Sequence, residues 1–245
     1  MKKKLYLSLT LNILFLLIIA GLLVYGLRKG MNQDTIRLKS LVSPDQVLTV
    51  NDRVYKTRRS IFYSLEKPSE KHQIVFLGDS ITQNCPWSEL LDNRNIINRG
   101  ISGDTTSGMR DRLSNIVYLQ PKKIFIMAGI NDFSLGRSVK QVTSNYEKIV
   151  RHIRRESPQS EIYIQSTLPI NNRLNKYATT PTQITDLDKN LELFSKREGV
   201  VYVNLYPSFV DSTGHLKVQY TFDGTHLNGK GYLLWKSKIE KYIRD

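Results

Sequence analysis

An α/β fold built on a five-stranded parallel sheet with helices on both faces, preceded by one N-terminal transmembrane helix, is what this sequence predicts. Three observations carry it. A charge-free apolar run, Leu5 to Leu27, opens the chain. From His72 on, short runs rich in Ile, Val, Phe and Tyr alternate with longer stretches of helical period. Strands that alternate with helices in this way form parallel sheets covered on both sides.

The elements follow in order. As a helix rising about 1.5 Å per residue, Leu5 to Leu27 would reach roughly 35 Å, enough for a hydrocarbon core of about 30 Å. Lys2, Lys3 and Lys4 precede it and Arg28 and Lys29 follow it, so charge bias is slight and favours the amino end inside. A cleaved signal peptide competes, but the run exceeds a usual h-region and Ile18 before Ala20 breaks a small-x-small cleavage pattern. Residues 31–43 read as a stalk. Val54, Ile61, Phe62 and Leu65 fall at helical spacing, which predicts a packing helix from about Asp45 to Glu66. Strands are predicted at Gln73 to Leu77, Asn95 to Asn98, Lys123 to Ala128, Glu161 to Ser166 and Val200 to Asn204. Helices are predicted near Asp104 to Tyr118, Ser138 to Arg155, Pro181 to Arg197 and Leu227 to Ile243. The expected domains are therefore an anchor at 1–30, a stalk and packing helix at 31–71, and a globular domain at 72–245.

Composition narrows the function. Hydrophobic residues make up 40% and charged residues 24% of the 245, an ordinary globular balance. The sole cysteine, Cys85, permits no internal disulfide and no lipoprotein-type anchor after the apolar run. Four histidines, His72, His152, His215 and His226, lack metal-ligand spacing, so no metal and no cofactor is expected. The formal net charge of +14 would suit nucleic acid, but five of those charges flank the apolar run and no nucleic-acid motif accompanies the rest. The basic clusters Arg58-Arg59, Arg110 with Arg112, Lys122-Lys123 and Arg151 with Arg154-Arg155 read as solvated faces, which can favour an anionic membrane or wall surface.

Four stretches carry chemistry: Gly78-Asp79-Ser80, Gly100-Ile101-Ser102-Gly103, Gly129-Ile130-Asn131-Asp132 and Asp223-Gly224-Thr225-His226. Each alone is also what a turn or helix cap uses. Each, however, follows the carboxyl end of a predicted strand, where open α/β sheets place their ligand crevice. A serine needs an adjacent base to attack, usually an imidazole held by a carboxylate. Ser80 and His226 fit those roles, with Asp223 three residues away to take the Nδ1 proton. Ser80 N–H, Gly103 N–H and the Asn131 side-chain amide can serve a developing oxyanion. Asp79 and Asp132 are expected to tie down loops, and His215 to stand apart. Trp87, Tyr206 and Phe222 are candidates for a substrate pocket and, equally, for packing.

Taken together, Gly78-Asp79-Ser80-Ile81, Gly103, Gly129-x-Asn131-Asp132 and Asp223-x-x-His226 resemble the four blocks of the SGNH/GDSL hydrolases, in order and in spacing, over about Gln73 to Asp245. The run Asn98 to Thr105 further resembles the branch of platelet-activating-factor acetylhydrolase-like esterases. The resemblance implies a flavodoxin-like three-layer α/β/α sandwich and carboxylic ester hydrolysis through an acyl-enzyme. It implies Ser80, Asp223 and His226 as catalytic residues and Ser80, Gly103 and Asn131 as the oxyanion hole. An α/β-hydrolase is disfavoured, because no Gly-x-Ser-x-Gly occurs. The expectation is a membrane-anchored, extracytoplasmic serine esterase acting on short-chain esters, acetyl among them, of a glycan, lipid or small molecule. The alternatives are an acyltransferase using the same acyl-enzyme and a non-catalytic surface-binding module.

Overall fold

The computed structural model describes residues 49–65 and 73–244, all within one compact unit, Val47–Asp245. The expected membrane helix, Leu5 to Leu27, and the stalk at 31–43 lie outside the described residues. Among the described residues no helix is long and apolar enough to cross a membrane.

Five parallel strands form the sheet: β1 (Ile74–Gly78), β2 (Ile96–Gly100), β3 (Lys123–Met127), β4 (Glu161–Gln165) and β5 (Val201–Val203), in spatial order β2-β1-β3-β4-β5. Strand alternation sends successive side chains to opposite faces. Phe76, Phe125 and Tyr163 point to one face, where α3 (Trp87–Leu90) and the last helix, α10 (Gly229–Ile243), cover them. There Trp87, Phe76, Phe125 and Tyr163 stack at centroid separations of 4.2, 4.9 and 4.5 Å. Val75, Leu77, Ile124, Ile126 and Ile164 meet the other face, covered by α7 (Val139–Glu156) and α8 (Pro181–Glu198). Ser138 and Thr180 start these two long helices with capping boxes, and Gly199 ends α8 in the left-handed region.

Several expectations need correction. The predicted helix Asp104 to Tyr118 is two short ones, α4 (Thr106–Asp111) and α5 (Leu113–Val117), broken at Arg112. The break turns Arg112 inward, 1% exposed, onto Asp104, so it is not part of a solvated face. Lys123 is likewise buried, with Nζ donating to the Tyr242 carbonyl at 3.0 Å. The packing helix expected from about Asp45 is instead α1 (Asp52–Ser64), which starts at the Asn51 cap, with residues 49–51 non-helical. It buries Tyr55 and Phe62, while Ile61 and Leu65 face solvent. The polar anchors of Tyr55, invisible to a hydrophobic count, set that rotation: its hydroxyl donates to the Gly108 carbonyl at 2.8 Å and lies 3.0 Å from Asp111 Oδ2.

Candidate active site

Chain order reverses at β1, which has β2 on one side and β3 on the other, and open α/β sheets bind ligands at such a switch point. Ser80 follows β1 there. A Cβ at Gly78 would fall 2.6 Å from Thr82 Cβ, so only glycine lets the chain turn so tightly from strand into α2 (Ser80–Gln83). The Asp79 carboxylate caps α2 by accepting from Ile81 N–H at 2.9 Å, and Asp79 also borders the cleft beside Ser80. Asn98 donates its amide to the carbonyls of Thr82 and Cys85 at 3.0 Å, and Tyr232 donates to Ile81 O at 2.8 Å, so the turn is held from two sides.

His226 arrives on the loop before α10. Ser80 Oγ lies 2.9 Å from His226 Nε2, and His226 Nδ1 lies 2.6 Å from Asp223 Oδ2. With the proton on Nδ1, where the carboxylate accepts it, the Nε2 lone pair faces the serine hydroxyl. Asp223 Oδ1 also accepts from the N–H groups of Thr225 (2.9 Å) and His226 (2.8 Å). Partial burial pushes the Asp223 pKa up, but these bonds, led by that from His226, outweigh it and leave it below the usual carboxylate value.

Gly103 sits at φ +76 after β2, a backbone state glycine adopts without strain. Asn131, in α6 (Ile130–Ser134), donates its side-chain amide to the Asp104 carbonyl at 2.9 Å, fixing the carboxamide beside Gly103. Behind them runs a buried polar lattice. Arg112 binds Asp104 Oδ2 through Nε and Nη2, both at 2.8 Å, and reaches the Gly78 carbonyl at 3.3 Å. Asp132 accepts from Thr106 N–H and Oγ1. Burial raises the carboxyl pKa of Asp79 to about 7 and those of Asp104 and Asp132 to about 6, against the pull of these partners.

Ser80, Gly103, Asn131 and His226 therefore border one cleft of about 290 Å³, which Val50, Asn51, Ser134 and Tyr177 also line. His215 is outside it, bonded within its own loop to Asp211 and Thr213. The three aromatic pocket candidates are not in it. Trp87 is stacked in the core with Nε1 on the Thr82 carbonyl, Tyr206 packs against that core, and Phe222 is 88% exposed. Sequence reasoning missed Val50, Asn51 and Tyr177, whose positions depend on contacts distant in the chain. Chemically, the cleft holds a hydroxyl beside an oriented imidazole, with amide donors on the adjoining wall. That arrangement suits nucleophilic acyl transfer. Among the described residues no group of three His, Cys, Asp or Glu gathers as a metal site would require.

Comparison with known proteins agrees with this geometry. The model of the GDSL-like lipase/acylhydrolase family matches residues 76–234. The human platelet-activating factor acetylhydrolase IB subunit alpha1 is 27% identical over 173 residues, which are 68% of this chain and 73% of that protein. The rat alpha2 subunit is 28% identical over 176 residues, covering 69% and 75%. Among solved structures, a protein from Streptococcus pneumonia described as a candidate platelet activating factor superposes with TM-score 0.70 at 28% identity, covering 78% of this chain and 92% of that one. A GDSL-like lipase from Bacteroides thetaiotaomicron gives 0.68 at 25% identity, covering 77% and 96%.

Proposed function

This chain belongs to the GDSL-like lipase/acylhydrolase family and is a carboxylic ester hydrolase, and from that premise we propose that Ser80, His226 and Asp223 remove a short acyl group, acetyl in the first instance, from a lipid, glycan or small-molecule ester. The observation that carries this reading is the 2.9 Å and 2.6 Å chain from Ser80 through His226 to Asp223, in the same small cleft as Gly103 and Asn131.

In this mechanism Ser80 Oγ attacks the ester carbonyl while His226 Nε2 takes its proton. The negative charge on the carbonyl oxygen is met by the N–H groups of Ser80 and Gly103 and by the Asn131 amide, each worth about 2.7 to 4 kcal/mol by analogy with single oxyanion donors. His226 then gives its proton to the departing alcohol. Water, deprotonated by the same nitrogen, attacks the acyl-enzyme and regenerates Ser80. Asp223 holds the imidazole in the one tautomer that can do both. A cleft of about 290 Å³ sits at the lower end of small-molecule pockets and favours a short acyl group. The acetylhydrolase relatives favour the same class.

The apolar Leu5 to Leu27 supports a single-pass anchor in the cell membrane with the hydrolase domain outside the cytoplasm, and the net charge of +14 supports contact with an anionic surface. Reporter fusions at the two ends of that run would report the topology.

The test is Ser80→Ala. Hydrolysis of p-nitrophenyl acetate should fall by about 10⁴-fold or more while circular dichroism is unchanged. Undiminished turnover in the variant would remove Ser80 as the nucleophile.

A further inference from the structure

We propose that Val50 and Asn51, which precede the region matched by the family, form the wall of the acyl pocket and that the Val50 side chain sets the length of acyl chain accepted. This rests on the esterase reading above and adds a specificity-determining residue to it.

The segment is built onto the site. Val50 N–H donates to the Gly103 carbonyl at 2.8 Å. A Cβ placed on Gly103 would lie 2.9 Å from Asn51 N and 3.3 Å from Val50 Cβ, so the two chains touch across that glycine with no room for a side chain. Both residues line the cleft that contains Ser80, Asn131 and His226.

α1 fixes where this wall stands. Asn51 Oδ1 accepts from Val54 N–H at 3.1 Å, which ties the wall to the first turn of the helix. Farther along, Tyr55 bonds the Gly108 carbonyl, and Asn115 Nδ2 donates to the Phe62 carbonyl at 2.7 Å. Phe62 is buried, with the Arg99 guanidinium over its ring at 4.6 Å. The helix is thereby bound to α4 and α5, the elements that follow the Gly103 loop.

The chemistry assigns the wall to the acyl group. The departing alkoxy oxygen must be within reach of His226 Nε2, which protonates it, and the carbonyl oxygen must face Gly103 N–H and Asn131. Of the aliphatic residues that line the cleft, Ile81 and Ile130 are buried and Val50 is exposed, so Val50 offers the open apolar surface that an acyl chain can lie against beside the Gly103 loop. Val50 is 53% exposed, so it forms the lip of the cleft, and trimming it opens the pocket without hollowing the core.

The experiment uses the full chain and p-nitrophenyl acetate, butyrate and octanoate, which share one leaving group and differ only in acyl length. Val50→Ala should raise the octanoate-to-acetate ratio of kcat/KM by about tenfold, and Val50→Trp should lower it by a similar factor, the scale of one or two methyl groups in a pocket. A ratio within about twofold of wild type in both variants, including a uniform loss on all three esters, overturns the wall. Absence of Ser80-dependent turnover in the wild type would overturn the esterase reading and the wall with it. A thermal melt of each variant checks that the fold persists.

Discussion

The two halves of the site are held in opposite ways. Ser80, Gly103 and Asn131, the proposed nucleophile and oxyanion donors, stand beside a buried lattice in which Arg112 and Asp104 are 1% and 0% exposed, and its links from Arg112 to Gly78 and from Asn131 to Asp104 span 34 and 27 residues. His226 and Asp223, the proposed base and its carboxylate, stand on a loop with side chains 37% and 43% exposed, and their bonds to each other are local, within Asp223 to His226. The contrast follows the chemistry. Donors for a developing oxyanion work by being immobile and dry before the charge appears. A base that passes its proton to an alcohol and then collects one from water needs access to both. Rigidity is concentrated where charge must be met, and openness where protons must move.

The contrast breaks first at His226. His226→Ala should lower kcat/KM for a short ester by about 10⁴-fold or more. Its melting temperature should stay within about 2 °C of wild type, because the half-exposed ring's bond across the chain is to the Ser80 hydroxyl, on a turn that Asn98 and Tyr232 already hold. A large drop in stability would mean that the loop is as structural as the buried half. Arg112→Ala inverts the pattern. Removing one partner of a buried ion pair costs about 3 to 5 kcal/mol, because the remaining charge is left uncompensated. Urea unfolding should show a loss of that order. A loss below about 1 kcal/mol would show that Asp104 needs no counter-charge.

Which half was legible in the sequence follows from the same difference. Asp223 and His226 are three residues apart, and Ser80, Gly103 and Asn131 each follow a strand that announces itself by its apolar run, so the sequence could place all five at one edge of a sheet. The five strands themselves and the two long capped helices were legible for the same reason, since their signals are local in the chain. Arg112 was not, because beside Arg110 it has the pattern of a surface charge, and only the break in the helix turns it inward. Trp87 suggested a pocket, yet its stack on Phe76 depends on α3 folding back onto the face of β1. Val50 and Asn51 join the cleft through a bond to Gly103, 53 residues on from Val50, for which no local pattern exists.

The smallest effect is in the pH response, where the halves should also differ in sign. Asp223, held below its usual pKa, adds stability that is present at neutral pH and is lost as acid protonates it. Buried carboxyls, in the site and beneath it, do the reverse. Asp188 of α8 accepts from Thr167 N–H at 2.8 Å through Oδ1, while Oδ2 is buried without a partner, and burial raises its pKa to about 8. A group whose folded pKa is raised favours the fold fully below its unfolded value near 3.9 and loses that contribution as pH climbs toward 8. Asp79, Asp104 and Asp132 act in the same direction over lower ranges. The melting temperature should therefore decline from about pH 5 to pH 9. Asp188→Asn keeps the acceptor for Thr167 N–H and cannot ionise, so its decline should be shallower than wild type by a few degrees. An identical slope in the variant and the wild type would show that Asp188 does not ionise over this range, and the decline would then belong to the other three carboxyls.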